Sequence, residues 1–315
     1  MKSAYLLEPA LATWPGLASG GVLDDSVILQ VREQERQLAS VRTAPVALPG
    51  MSAKAFQATG MRDGIEPTVL LYAPASPAIR PVLLHIHGGG FIFGSAYNYD
   101  MINQHLAAVL DCAVLCVDYR LAPDAPYPAA LDDCDAALRW LAGNAAELSI
   151  DPARIVVMGE SAGGGLAASL CQLTRDQGGP ALAGQILVYP MLDDRTSDLQ
   201  DPHPFAGEYL WTRDYNRYAW SAFLGSHKNV PPEYAVPART ANLAALPPAT
   251  IFIGALDLFL EETLEYARRL TRAGIPTELH VYSGAYHGFD MVAHAASSIA
   301  FGEDRMRALR KVLAL

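Results

Sequence analysis

Residues 154–167 read RIVVMGESAGGGLA. An apolar, β-branched run enters a tight turn at Gly159-Glu160-Ser161-Ala162-Gly163, and a small-residue stretch leaves it with helical character. A nucleophilic serine needs this arrangement. The strand-to-helix turn projects the hydroxyl into a cleft, and the flanking glycines tolerate both the backbone conformation and close packing. The helix that starts behind Ser161 presents free N–H groups and positive partial charge. In a chain with 25 glycines, chance matches to G-x-S-x-G number on the order of 0.1, so the strand before and the helix after carry much of the weight.

Upstream lies HIHGGGFIFG, residues 85–94. Its three consecutive glycines can turn backbone N–H groups inward to hold an oxyanion. HGGGF is expected by chance only about 10⁻⁴ times in such a composition, which makes it the more specific signal. No G-K-[ST] follows, so a phosphate-gripping loop is set aside. His85 and His87 precede the turn and read as structural. They lack a third ligand cluster, so neither a metal nor another cofactor is expected.

A serine nucleophile needs a base, and the base needs an orienting carboxylate. ATIFIGALD puts Asp257 just past a strand, and ELHVYSGAYHGFD puts His287 in a loop past the last strand. Strand C-termini share one edge of a parallel sheet, so Ser161, Asp257 and His287 can converge there in the order Ser…Asp…His. Glu261 and Glu262 read as first-turn helix residues, whereas Asp290 can compete for His287. His280 falls inside a strand, His203 and His227 in an aromatic-rich insertion, and His105 and His294 in helix-like stretches.

Around these motifs the chain alternates. Strands are expected at 68–73, 81–86, 113–119, 154–159, 185–189, 249–254 and 277–282, and helices at 24–40, 128–147, 162–176, 261–273 and 291–313. Several strands are continuous apolar runs, as in strands covered on both faces. The expected fold class is α/β, with a mostly parallel central sheet flanked by helices. About 60 residues separate Tyr189 from the strand at 249, too many for a plain crossover. This stretch holds Phe205, Tyr209, Trp211, Tyr215, Tyr218, Trp220 and Phe223. The expected organisation is an N-terminal cap segment, 1–50, and a catalytic domain, 51–315, carrying a cap insertion at about 191–230. Phe91, Phe205, Tyr209 and Trp211 are the expected pocket walls.

Of the 315 residues, 51% are hydrophobic and 18% charged, against about 25% charged in an average soluble domain. Such a chain can bury a large core, and disorder is excluded for most of it. The net charge of −10 and the absence of Lys/Arg runs argue against nucleic acid and anionic membrane surfaces. No stretch approaches the roughly 20 apolar residues of a spanning helix. Glu8 and Pro9 interrupt a weak secretory pattern. Cys112, Cys116, Cys134 and Cys171 form no CxxC pair and read as buried, reduced thiols, so a cytoplasmic location is expected.

Together HGGGF (87–91), DYRLAPDAPYPAAL (118–131), GESAGGGLA (159–167), YPMLD (189–193), LPPATIFIGALDLFLEE (246–262) and YHGFD (286–290) resemble the hormone-sensitive-lipase-like (family IV) esterases of the α/β-hydrolase fold. The resemblance covers roughly residues 65–313. It implies a Ser161/Asp257/His287 triad, an oxyanion hole of the Gly88, Gly89 and Ala162 amides, a helical cap and, in many members, a homodimer. Departures are Glu160 for the usual Asp or Thr, Leu258 for Pro, Glu261 for Asp, and Asp124 for Glu. The function implied is hydrolysis of short- to medium-chain acyl esters through an acyl-enzyme. The alternatives are action on amides or lactones, acyl transfer, or ligand binding without turnover on the same scaffold.

Overall fold

The computed structural model describes residues 1–14, 24–40, 45–58, 64 and 66–314. The strands are β1 (Met51–Gln57), β2 (Thr68–Pro74), β3 (Arg80–Ile86), β4 (Ala113–Asp118), β5 (Ile150–Glu160), β6 (Gly184–Val188), β7 (Ala249–Gly254) and β8 (Thr277–Tyr282). They form one eight-stranded sheet in the order β1-β2-β4-β3-β5-β6-β7-β8. The β1–β2 and β2–β4 ladders are antiparallel, and every later ladder is parallel. The helices are α1 (Asp25–Ser40), α2 (Asp100–Leu110), α3 (Ala129–Gly143), α4 (Ala162–Gln177), α5 (Arg213–Leu224), α6 (Leu260–Arg272) and α7 (Ala296–Val312). The α/β class expected from the sequence is the one observed. The strands β3, β6 and β7 are buried along their whole length, which is why they read as continuous apolar runs.

β1 has no counterpart among the expected strands. Its sequence, MSAKAFQ, lies at the sheet edge with mostly exposed or half-exposed side chains, so little hydrophobic patterning marks it. Pairing with β2, from Met51↔Pro74 to Gln57↔Thr68, defines it instead. Helix α7 begins at Ala296 rather than near residue 291. Its first N–H groups need acceptors, and the carboxylate of Glu8 accepts from Ala296 N (2.6 Å) and Ser297 N (3.1 Å). That cap comes from the other end of the chain, so the local pattern does not reveal it. Helix α1 starts as expected, with Asp24 Oδ1 accepting from the amides of Ser26 (2.9 Å) and Val27 (3.0 Å).

The N-terminal segment and the long β6–β7 connection meet. Glu208 accepts from the amides of Lys2 and Ser3 and from Ser3 Oγ, and Tyr218 Oη of α5 donates to Asp25 of α1. Buried Arg32 of α1 donates to the carbonyls of Ile92 and Ala122 and pairs with Asp124. These bonds seat α1 against the loops that follow β3 and β4. Residues 15–23 and 41–44 of the expected N-terminal segment lie outside the described residues.

Helix α4 sets the depth of the whole arrangement. Its opening glycines allow backbone to touch backbone: a Cβ on Gly163 would stand 2.0 Å from Ile86 O at the end of β3, and one on Gly165 would stand 2.1 Å from Met191 O. Neither neighbour is a flexible side-chain tip that can move aside. Gly163→Ala is therefore expected to destabilise the protein by about 1–3 kcal/mol or more, the usual cost of overpacking. Urea denaturation against the wild type checks this, and an unchanged midpoint would show that α4 can back away freely.

Candidate active site

Ser161 follows β5 directly and precedes α4. Its backbone sits at φ 55°, ψ −119°, a conformation that costs a non-glycine residue about 1–3 kcal/mol unless its surroundings hold it there. Three bonds hold it. Ser161 N donates to Val188 O (2.9 Å), and Ser161 O accepts from Met191 N (2.9 Å) and Gly165 N (3.1 Å). The turn thus bridges the end of β6 and the first turn of α4.

The C-terminal ends of β5, β7 and β8 bring the three distant residues together. Ser161 Oγ lies 2.9 Å from His287 Nε2, and His287 Nδ1 lies 2.8 Å from Asp257 Oδ2. Asp257 Oδ1 also accepts from Phe259 N at 2.9 Å, which orients the carboxylate. All three side chains are buried. The His287 ring is enclosed by Tyr189 (4.7 Å between centroids), Phe259 (5.1 Å) and Trp211 (6.2 Å).

The competing groups are occupied elsewhere. Asp290 accepts from Tyr189 Oη at 2.9 Å, and burial raises its carboxyl above the usual range. Glu262 turns away to the amides of Leu192 (2.6 Å) and Asp193 (3.3 Å) and to the hydroxyl of Thr196. Burial pushes its carboxyl well up. Glu261 is exposed. His280 faces Glu278 (2.8 Å) and Asp304 (3.3 Å). His87 Nδ1 lies 2.8 Å from Gly88 O, with its ring stacked on Tyr119 at 4.1 Å.

In the glycine loop, Gly88 N lies 3.4 Å from Tyr99 Oη, longer than a usual N–H···O bond. The amides of Gly89, Gly90 and Ala162 have no partner among the described residues. Of the four expected pocket walls, Trp211 lies next to the site: a Cβ on Gly90 would stand 2.3 Å from its Cη2. Phe91 and Tyr209 are packed as core instead. Phe91 stacks on Phe223 at 4.1 Å and tilts against Trp220 at 5.2 Å, and Tyr209 lies against Tyr286 at 5.6 Å. Phe205 contacts Tyr5 and His203. Tyr99, Asn103 and Tyr189 were not singled out from the sequence. Tyr189 stands in the YPMLD motif, but Asn103 carries no sequence signal, since only the sheet brings α2 behind β3.

A family model described as the α/β-hydrolase fold matches residues 83–291. The chain belongs to the α/β-hydrolase family. Among this hydrolase's relatives, esterase LipI of Mycobacterium tuberculosis is 35% identical over 259 residues, covering 78% of each chain. Carboxylesterase NlhH of the same organism is 34% identical over 292 residues, covering 88% of each. Among solved structures, a bacterial heroin esterase superposes with a TM-score of 0.86 at 36% identity over 98% of both chains. Esterase LipW from Mycobacterium marinum gives 0.82 at 34% identity, covering 98% of this chain and 96% of that one. The motifs that suggested the hormone-sensitive-lipase-like branch fall largely inside the matched region. No helix among the described residues is long and apolar enough to cross a membrane.

The strained turn makes a direct prediction. Glycine adopts the Ser161 backbone conformation without strain and alanine does not. Ser161→Gly is therefore expected to exceed Ser161→Ala in stability by about 1 kcal/mol, even after the added freedom of its unfolded chain. Chemical denaturation of the two variants reads this difference, and an equal or reversed order would show that the turn is relaxed.

Proposed function

We propose that this hydrolase is a carboxylesterase that cleaves short- to medium-chain acyl esters through an acyl-enzyme on Ser161. The observation that carries the reading is the buried Ser161–His287–Asp257 hydrogen-bond series standing beside unpaired backbone amides. The esterase names of its relatives support the same reaction class.

The reaction follows from the geometry. His287 Nε2 takes the proton of Ser161 as Oγ attacks the ester carbonyl. Asp257 fixes the tautomer of the imidazole through Nδ1 and stabilises the imidazolium that forms. The amides of Gly88, Gly89 and Ala162 receive the developing oxyanion, with the N-terminus of α4 adding positive potential; a Cβ on Gly88 would stand 3.5 Å from Ser161 Cβ. His287 then protonates the departing alcohol, and a water activated by the same nitrogen releases the acid.

Access is shaped by the two segments that meet over the strand ends, which we read as a cap of the N-terminal segment and the β6–β7 insertion. Trp211 is a residue of this cap that reaches the site. It rests over Gly90 and beside His287, where a bulky indole limits acyl length.

Ser161→Ala is expected to abolish hydrolysis of 4-nitrophenyl butyrate while keeping the native circular dichroism spectrum. Turnover by the pure, folded variant would overturn the nucleophile assignment. Asp257→Asn is expected to lower kcat by roughly 10⁴, as in serine proteases; a wild-type rate would shift the orienting role to another acid. Trp211→Ala is expected to move the optimum in a 4-nitrophenyl ester series toward longer acyl chains, and an unchanged optimum would mean that the acyl group lies elsewhere.

A further inference from the structure

Behind the nucleophile lies a polar group that the triad does not use. Glu160, the last residue of β5, precedes Ser161 and turns inward. Its Oε2 lies 2.7 Å from His85 Nε2 on the adjacent strand β3. The other ring nitrogen, His85 Nδ1, lies 2.7 Å from Asn103 Oδ1 of α2. His85 and Asn103 are completely buried, and Glu160 is 6% exposed. With Glu160 Oε2 facing Nε2 and Asn103 Oδ1 facing Nδ1, each ring nitrogen has an acceptor, the pattern of an imidazolium beside a carboxylate.

The two strands joined by this pair carry the two halves of the site. β5 leads into Ser161 and the Ala162 amide, and β3 leads through His87 into the Gly88 and Gly89 amides. The backbones touch at the same point, since a Cβ on Gly88 would stand 3.1 Å from Glu160 O and 3.5 Å from Ser161 Cβ. Tyr99 completes the joint. Its ring meets His85 edge-on at 5.1 Å, and its hydroxyl accepts from Gly88 N. We propose that Glu160 and His85 are positioning residues, a buried charge pair that holds the nucleophile turn in register with the glycine loop. The role rests on the esterase reading above. A buried charge needs its partner, and mutual stabilisation agrees with this. Burial works to lower His85, yet the Glu160 charge raises it well above its usual value. Burial likewise works to raise Glu160, and His85 outweighs it.

Because the oxyanion exists only in the transition state, loosening this joint should lower kcat and leave KM alone. His85→Gln strands a buried carboxylate beside Ser161. It is expected to lose about ten- to a hundredfold in kcat, the scale of a misplacement near 1 Å, with KM within twofold. The double variant His85→Gln/Glu160→Gln removes the stranded charge and should recover much of that loss. Glu160→Asp, a methylene too short to reach His85, should behave like the single His85 variant. The rate at which a 4-nitrophenyl alkylphosphonate modifies Ser161 should follow kcat through the set.

A measurement on the wild type stands even where a variant fails to fold. The ¹⁵N resonances of the His85 ring should report two protonated nitrogens throughout pH 6–9. A neutral ring, or variants with wild-type kcat and phosphonylation rates, would overturn the proposal, as would a double variant no better than His85→Gln. Wild-type protein that the phosphonate fails to modify at Ser161 would instead overturn the esterase reading beneath it.

Discussion

The arrangement depends on how closely α4 can approach β3. Gly163 lets the first turn of the helix rest against the carbonyl of Ile86, with no side chain between them. That contact brings the turn after β5 and the loop after β3 to one place, so amides from two separate strands can face one point. Close packing transmits such a constraint, because interiors have little free volume in which to absorb a shift. A methyl group at that contact would separate the two halves before it altered any polar side chain.

Buried acids then divide the work by partner. Asp257 faces His287 and an amide, Glu160 faces His85, Asp290 faces a tyrosine, and Glu262 faces two amides and a threonine. The same burial acts on Glu160, Asp290 and Glu262, but the outcome differs. Glu160 is held below its usual range by the adjacent His85, whereas Asp290 and Glu262 are pushed up. A carboxylate is useful in orienting an imidazole where it keeps its charge and points at a ring nitrogen. Glu262 points at no ring nitrogen; its bonds instead pin residues 192–196 to α6.

Much of the site was legible in the sequence for a physical reason. A nucleophile turn and a glycine loop need particular residue types at fixed local spacings, and these spacings survive as strings. Ser161 and the loop 87–91 were readable in this way, and the strand-end positions of Asp257 and His287 followed once the alternation implied a parallel sheet. Phe91 packs on Phe223 and Tyr209 against Tyr286; composition marks an aromatic as apolar but not which apolar surface it meets.

Local chemistry in the chain therefore determined the α/β class, the strand-helix alternation, the tight turn at Ser161 and the order Ser161, Asp257, His287 along the chain. Tertiary structure alone decided that β1 is a strand, that Glu8 caps α7 and that Asn103 stands behind His85. Each of these is a contact between residues far apart in the chain. Periodicity and spacing encode only the geometry that neighbouring peptide units impose on one another, so such contacts leave no local trace.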